Sequence, residues 1–213
     1  MIVNLEVLSS AFLLGKKSVE NLHTKELVPK MILRRRLTRG AKILVELQNM
    51  VDFKDGRVIC GSAYGELRVT AKILESIKDK QAISPTDFQN SVYNTAVSYL
   101  SILSKNQNEI ATLSCGDNTA RSVLKMGAVK ALDEDEILLV CFETINIENI
   151  EQINSCIDFL ESGVALKVRV TDKKANIKVE KCETKGIPKS ISELLYVAQI
   201  EKTIENPVLE VLV

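Results

Sequence analysis

Apolar residues recur along this chain at two spacings, and the spacings separate strands from helices. Residues 2–8, "IVNLEVL", alternate in part and predict a strand. A loosely patterned segment then runs to Pro29. "MILRRRLTRGAKILVELQNM" puts Leu33, Leu37, Leu44 and Leu47 on one stripe and predicts a helix. "GRVICG" is a short apolar run between glycines, the pattern of a buried strand. "ELRVTAKILESIKD" aligns Leu67, Ala71, Leu74 and Ile77 as an amphipathic helix, and "ISPTDF" interrupts it. "NSVYNTAVSYLSILSK" reads as a helix rich in small, uncharged residues, and "EIATLSC" as a strand. "NTARSVLKMGAVKAL" predicts a helix with Asp117 or Asn118 as its cap. "EILLVCFE" is continuously apolar, as a central strand covered on both faces requires.

The last third changes character. "IENIEQINSCIDFLESG" predicts a helix closed by Gly163. "ALKVRVTDKKANIKVEKC" alternates on both sides of a polar turn and predicts a hairpin. A final helix, "SISELLYVAQIEKTIEN", precedes a final strand, "VLEVLV". The expectation is one α/β domain over residues 1–213, with a mainly parallel sheet, helices on both faces and a short antiparallel extension. Residues 1–145 form the expected α/β core and residues 146–213 a helix-hairpin-helix-strand extension.

Charge and composition narrow the function. Lys plus Arg and Asp plus Glu number 28 each, which gives no electrostatic case for nucleic acid. Aromatic residues are 4% and Trp is absent, so base-stacking platforms are not expected. The N-terminus carries Asn4 and Glu6 within its first apolar stretch and does not read as a signal peptide, and no apolar run is long enough to span a bilayer. The five cysteines, Cys60, Cys115, Cys141, Cys156 and Cys182, are dispersed and contain no CxxC. A reduced, cytoplasmic protein with no metal and no cofactor is the expectation. Cys60, Cys141, Cys156 and Cys182 sit in apolar or strand patterns and read as packing residues.

Three constellations carry candidate chemistry. In "TLSCGDNTA", Cys115 lies between a strand and a helix, where free amides and the positive dipole end favour a thiolate. Asp117, two residues on, opposes that by raising a thiol's pKa. Nucleophile and small residue at a tight turn both remain open. "GSAYGEL" joins a strand to a helix through two glycines, which suits either a structural turn or the approach of a phosphate or acyl chain. Arg34, Arg35, Arg36 and Arg39 cannot all share one helical face; they read as a solvated face or as a docking patch for an acidic partner or a phosphate. His23, the single histidine, reads as a surface residue.

The order of these pieces resembles the β-ketoacyl synthases of the thiolase-like superfamily, over about Gly56 to Glu143. The resemblance rests on "GSAYGELRVTAKILESI", "AISPTDFQNSVYNTAVSYLSILSKNQNEIATLSCGD" and "SVLKMGAVKALDEDEILLVCFE", with Ser84–Pro85, Asn94, the Cys115 turn and Asp133–Asp135 in the family's sequence and spacing. With "PKMILRRRLTRGAKI" ahead of them, the chain is similar to small synthase-like proteins of chain-length-factor type. The resemblance implies a thiolase-like half-fold, and places Cys115 at the position of the nucleophile that accepts acyl groups from acyl carrier protein. It also implies that the small-residue helix, with Asn94, Ala96, Ser98 and Ser101, lies at a homodimer or heterodimer interface.

Condensation in this family needs two histidines, or a histidine and an asparagine, drawn from a C-terminal half. The chain is expected to end before such a half, and His23 precedes the synthase-like region. One preorganised oxyanion donor is worth about 2.7–4 kcal/mol, so loss of the pair removes condensing activity. The expected function is a catalytically incomplete synthase-like subunit in fatty-acid or polyketide biosynthesis of aryl-polyene type. Its partners would be a β-ketoacyl synthase and acyl carrier protein, the latter docking on Arg34, Arg35, Arg36 or Arg39. The alternatives are a small acyl-transfer or thioester-hydrolysing enzyme using Cys115, and a structural module without a ligand.

Overall fold

A strand with no polar face must be covered on both sides, and the two most continuously apolar runs lie at the interior of a sheet. The computed structural model describes residues 1–133, 136–179 and 184–213. The order of elements is β1 (Ile2–Gly15), α1 (Thr24–Leu27), α2 (Met31–Arg34), α3 (Arg39–Met50), β2 (Arg57–Gly61), α4 (Leu67–Lys78), α5 (Pro85–Asn90), α6 (Thr95–Ser104), β3 (Ile110–Leu113), α7 (Thr119–Lys130), β4 (Ile137–Thr144), β5 (Glu161–Val170), β6 (Ile177–Lys178), α8 (Lys189–Glu201) and β7 (Val208–Leu212). The strands form one sheet in the order β3-β2-β4-β5-β1-β7-β6.

The period of two along each strand divides the core. Ile59, Ile137, Leu139 and Cys141 face one layer with Val123 of α7 and Leu194 of α8. Val58, Cys60, Leu138, Val140 and Phe142 face the opposite layer with Leu44 of α3 and Ala96 of α6. All of β4 is buried. The chain is therefore a three-layered α/β structure with helices on both faces, the architecture expected of a thiolase-like half-fold.

Antiparallel pairing reaches further into the sheet than an end piece. β3, β2 and β4 run parallel, as do β6 and β7, while β4–β5, β5–β1 and β1–β7 are antiparallel. β1 extends to Gly15 because Ser9 donates to the Val51 carbonyl and Ser10 to that of Ala198, which satisfies hydroxyls that interrupt the apolar pattern. The helix expected over 147–163 is a single turn, Ile150–Gln152, and Gly163 lies within β5 instead of closing a helix. A Cβ there would come within 2.6 Å of Ile43 and 2.9 Å of Leu47, so this glycine admits α3 against the sheet. The hairpin expected over 165–182 does not form: β5 pairs with β1 and β4, and β6 pairs with β7. β5 sends Val164, Leu166 and Val168 into one core layer and Ala165 into the other, which suits the interior of the sheet, and the end of that segment, 180–183, lies outside the described residues. The helix expected over 31–50 is divided into α2 and α3, because the Thr38 hydroxyl accepts from the Ala41 amide and starts a new helix.

Candidate functional site

β3 ends at Leu113, and the chain turns through Cys115 and Gly116 into α7. Gly116 has φ +56° with nothing within 4 Å of an ideal Cβ, so the turn needs glycine for its backbone conformation and not for space. Neither Asp117 nor Asn118 caps α7 through its side chain. Thr119, fully buried, organises the turn instead: its Oγ1 accepts from the Cys115 amide at 3.1 Å and donates to the Gly116 carbonyl at 2.7 Å. The Cys115 thiol is exposed. The Cys115 amide is thus already bound to a hydroxyl of its own turn.

His23 sits beside α1, with its Nδ1 2.7 Å from Glu46 Oε1 on α3. The Glu46 carboxylate holds the imidazole above its usual pKa, and the side chain is 69% exposed. The histidine is thus a surface residue committed to α3. No cluster of three or more His, Cys, Asp or Glu among the described residues is arranged to hold a metal.

The glycine-containing turn after β2 is held from within. Glu143, near the end of β4 and fully buried, accepts from Ser62 Oγ at 3.0 Å, the Ala63 amide at 2.6 Å and the Tyr64 amide at 3.1 Å. Ser62 Oγ in turn accepts from the Gly65 amide at 2.8 Å, and Thr144 Oγ1 donates to the Gly65 carbonyl at 3.1 Å. The next residue but one from Tyr64, Glu66, is also buried and accepts from the Gly40 amide at 3.1 Å, which joins the turn to the start of α3. Burial pushes the Glu143 and Glu66 carboxyls above the usual glutamate range. The amides of Ala63 and Tyr64 therefore serve an internal carboxylate, and the turn offers them to no phosphate. The sequence signal for this arrangement was a glutamate closing the apolar run "ILLVCFE".

The four arginines separate. Arg34 donates to the Val28 and Pro29 carbonyls, and Arg39 pairs with buried Glu161 at 2.7 Å and donates to the Val19 carbonyl. Arg35 and Arg36 are exposed. The small-residue helix separates likewise. Ala96 is buried against the sheet and Ser101 Oγ donates to the Asn106 carbonyl, whereas Asn94 and Ser98 are exposed. Of the remaining cysteines, Cys60 and Cys141 are buried as expected of packing residues, Cys156 is exposed in contrast to that expectation, and Cys182 lies outside the described residues.

Apolar side chains remain uncovered nearby. α4 buries none of its residues, and Leu74 and Ile77 from its apolar stripe are 60% and 56% exposed. Phe88 of α5 and Ile102 of α6 are 65% and 62% exposed. β3, at one end of the sheet, has an unpaired edge among the described residues. No helix of the described residues is long and apolar enough to cross a membrane.

No curated protein matches the chain. Solved structures with a similar fold include a ketosynthase in complex with its chain length factor from Xenorhabdus doucetiae, at 18% identity, TM-score 0.64, and 83% of this chain on 85% of that one. The ishigamide ketosynthase/chain length factor is similar at 9% identity and TM-score 0.62, over 78% of this chain and 62% of that one. A β-ketoacyl synthase from Burkholderia phymatum STM815 is similar at 9% identity and TM-score 0.59, over 80% of this chain and 60% of that one. The chain thus spans less than two thirds of the length of the last two, and at these identities the likeness is one of fold. The family model described as the β-ketoacyl synthase N-terminal domain matches residues 15–204. The chain belongs to the β-ketoacyl synthase N-terminal domain family.

Proposed function

We propose that this chain is a non-condensing subunit of a ketosynthase-type assembly, working in fatty-acid or aryl-polyene-type polyketide synthesis beside a β-ketoacyl synthase. The observation that carries the reading is the state of the Cys115 turn: the thiol is exposed, but its amide is bound to Thr119 and the one histidine is paired with Glu46. Among the described residues the Cys115 amide and the one histidine are both committed elsewhere, which supports a non-condensing role, since decarboxylative condensation needs a free oxyanion donor and a base. The uncovered side chains of Leu74, Ile77, Phe88 and Ile102 and the free edge of β3 suit a second subunit of the same fold, as do the exposed Asn94 and Ser98. Arg35 and Arg36 are the arginines left to meet an acidic carrier protein.

Incubation with acyl-loaded carrier protein tests the reading directly. The expected outcome is no acyl adduct on Cys115 by mass spectrometry, together with co-purification of a β-ketoacyl synthase from the native host. A stable Cys115 adduct that Cys115→Ala abolishes, with no synthase recovered, would favour an acyl-transfer enzyme and overturn the subunit reading.

A further inference from the structure

Two walls of different origin meet at the start of α4. Leu67, the first residue of that helix, and Ile147, from the loop after β4, pack on one small cluster of Ile145, Ile150 and Leu160. That shared floor holds α4 against residues 146–148. The loop is fixed further by Asn146, whose Nδ2 donates to the Lys17 carbonyl at 2.8 Å. Above the floor a groove of about 480 Å³ opens between the helix and the loop. Its volume lies within the range of about 300–1,000 Å³ usual for small-molecule sites.

The lining defines a ligand class. Four charged side chains reach the groove: Arg68, Lys72 and Glu75 from α4, and Glu148 from the loop. Lys72 is already committed, with its Nζ 2.6 Å from Asp87 of α5, and that pair cancels. Arg68, Glu75 and Glu148 make no ion pair with any described residue. Lys17 meets the loop through its carbonyl, and its ammonium is not part of the lining. One guanidinium therefore stands against two carboxylates, and the groove carries one net negative charge. Ala71 and Ile147 supply apolar surface between them. The complementary molecule has one carboxylate, two cationic groups and an aliphatic stem. A guanidinium receives a carboxylate through two parallel hydrogen bonds, which fixes the orientation. A single exposed ion pair contributes little, so recognition rests on all three charges being met at once.

We propose that this groove binds a diamino carboxylate, a small molecule with two ammonium groups and one carboxylate on an aliphatic stem. The carboxylate meets Arg68, the ammonium groups meet Glu75 and Glu148, and the stem lies along Ala71 and Ile147. The site is separate from the subunit reading, because neither Cys115 nor the uncovered Leu74, Ile77, Phe88 and Ile102 line the groove.

Amide chemical-shift titration of the isotope-labelled full chain tests the site, with free lysine, cadaverine, norleucine and glutamate as probes. Cadaverine lacks the carboxylate, norleucine lacks the second ammonium, and glutamate puts a carboxylate in its place. Lysine is expected to shift the amides of residues 68–75 and 146–148. It is expected to bind about fivefold more tightly than cadaverine or norleucine, the upper end for one exposed pair, with glutamate weaker still. Arg68→Gln, at an exposed position, is expected to weaken lysine about fivefold and leave cadaverine unchanged. Glu148→Gln, also exposed, is expected to weaken both by about the same factor. The proposal is overturned if lysine leaves those amides unmoved, if norleucine or glutamate binds as tightly as lysine, if Arg68→Gln weakens cadaverine as much as lysine, or if Glu148→Gln changes neither.

Discussion

Two turns leave neighbouring parallel strands of this sheet, and they solve the same problem in different ways. The turn after β2 contains Gly65 at φ +59°, and the turn after β3 contains Gly116 at φ +56°. Both lead toward helices and both leave amides to be satisfied. After β2 the acceptor is Glu143, a fully buried carboxylate from a third strand. After β3 it is the hydroxyl of Thr119, four residues along the same chain. The first solution ties the turn to the centre of the sheet; the second is local and leaves the Cys115 thiol outside. A strand-glycine-helix pattern thus specifies a backbone shape, and the side chains around it decide whether its donors remain for a ligand.

The largest effect is expected from Glu143→Ala. The substitution removes the acceptor for Ser62, which is buried, and for two amides of the turn. Leaving buried donors unpaired costs about 1–3 kcal/mol each, and water at the partly exposed Tyr64 offsets part of it, so a net loss of about 3 kcal/mol is expected. Urea denaturation measures it. Glu143→Gln, which keeps one acceptor oxygen, is expected to lose less. A loss below about 0.5 kcal/mol, the size of an ordinary surface substitution, would show that the carboxylate does not hold the turn.

Acidity sharpens the same contrast by a smaller amount. The Glu143 and Glu66 carboxyls are raised above the usual 4.5, first by burial. A raised folded-state value means the native state binds the proton more readily than the unfolded chain, so their contribution is present below the unfolded value and is lost as pH rises through the folded one. Glu6 runs the other way, lowered first by its hydrogen bond from Lys173 and then by that from Arg169, and its contribution is lost as pH falls below the usual 4.5. Stability is therefore expected to decline from about the unfolded glutamate value toward neutrality. Glu143→Gln is expected to reduce that slope, measured as urea midpoints across pH 5–8. An unchanged slope in this variant would remove Glu143 from the account.

Much of this architecture could be read from the apolar pattern, and the failures have physical causes. β4 and β2 announce themselves because strands covered on both faces carry continuous apolar runs, residues 137–142 and 58–60, with no polar position inside them. β5 alternates through Lys167 and Arg169, the pattern of a hairpin strand, and pattern does not say which edge a strand pairs with. α4 shows a different limit: the stripe of Leu67, Ala71, Leu74 and Ile77 identifies a helix, while the direction that stripe faces depends on packing, and Leu74 and Ile77 face solvent. At the candidate site the position of Cys115 was legible from spacing, and the exposed state of its sulfur was not. Glu143 and Glu66 carry no such signal, because a buried polar residue acquires its meaning from partners far along the chain, and the Thr119 hydroxyl acquires its own from the fold of the turn.

The smallest expected effect belongs to Cys115→Ala. The thiol is exposed, and its backbone amide, which makes the bond to Thr119, survives the substitution. The change in stability is expected to stay within about 0.5 kcal/mol. Thiol labelling tests the contrast from the other side. In the folded protein Cys115 is expected to react with iodoacetamide at neutral pH, whereas Cys60 and Cys141 react only after denaturation, because both are buried and burial pushes their thiols far up. A large loss of stability in Cys115→Ala, or a Cys115 that labels no faster than Cys60, would mean that the sulfur packs into the fold. The turn after β3 would then be as deeply committed to the core as the turn after β2, and the difference between them would vanish.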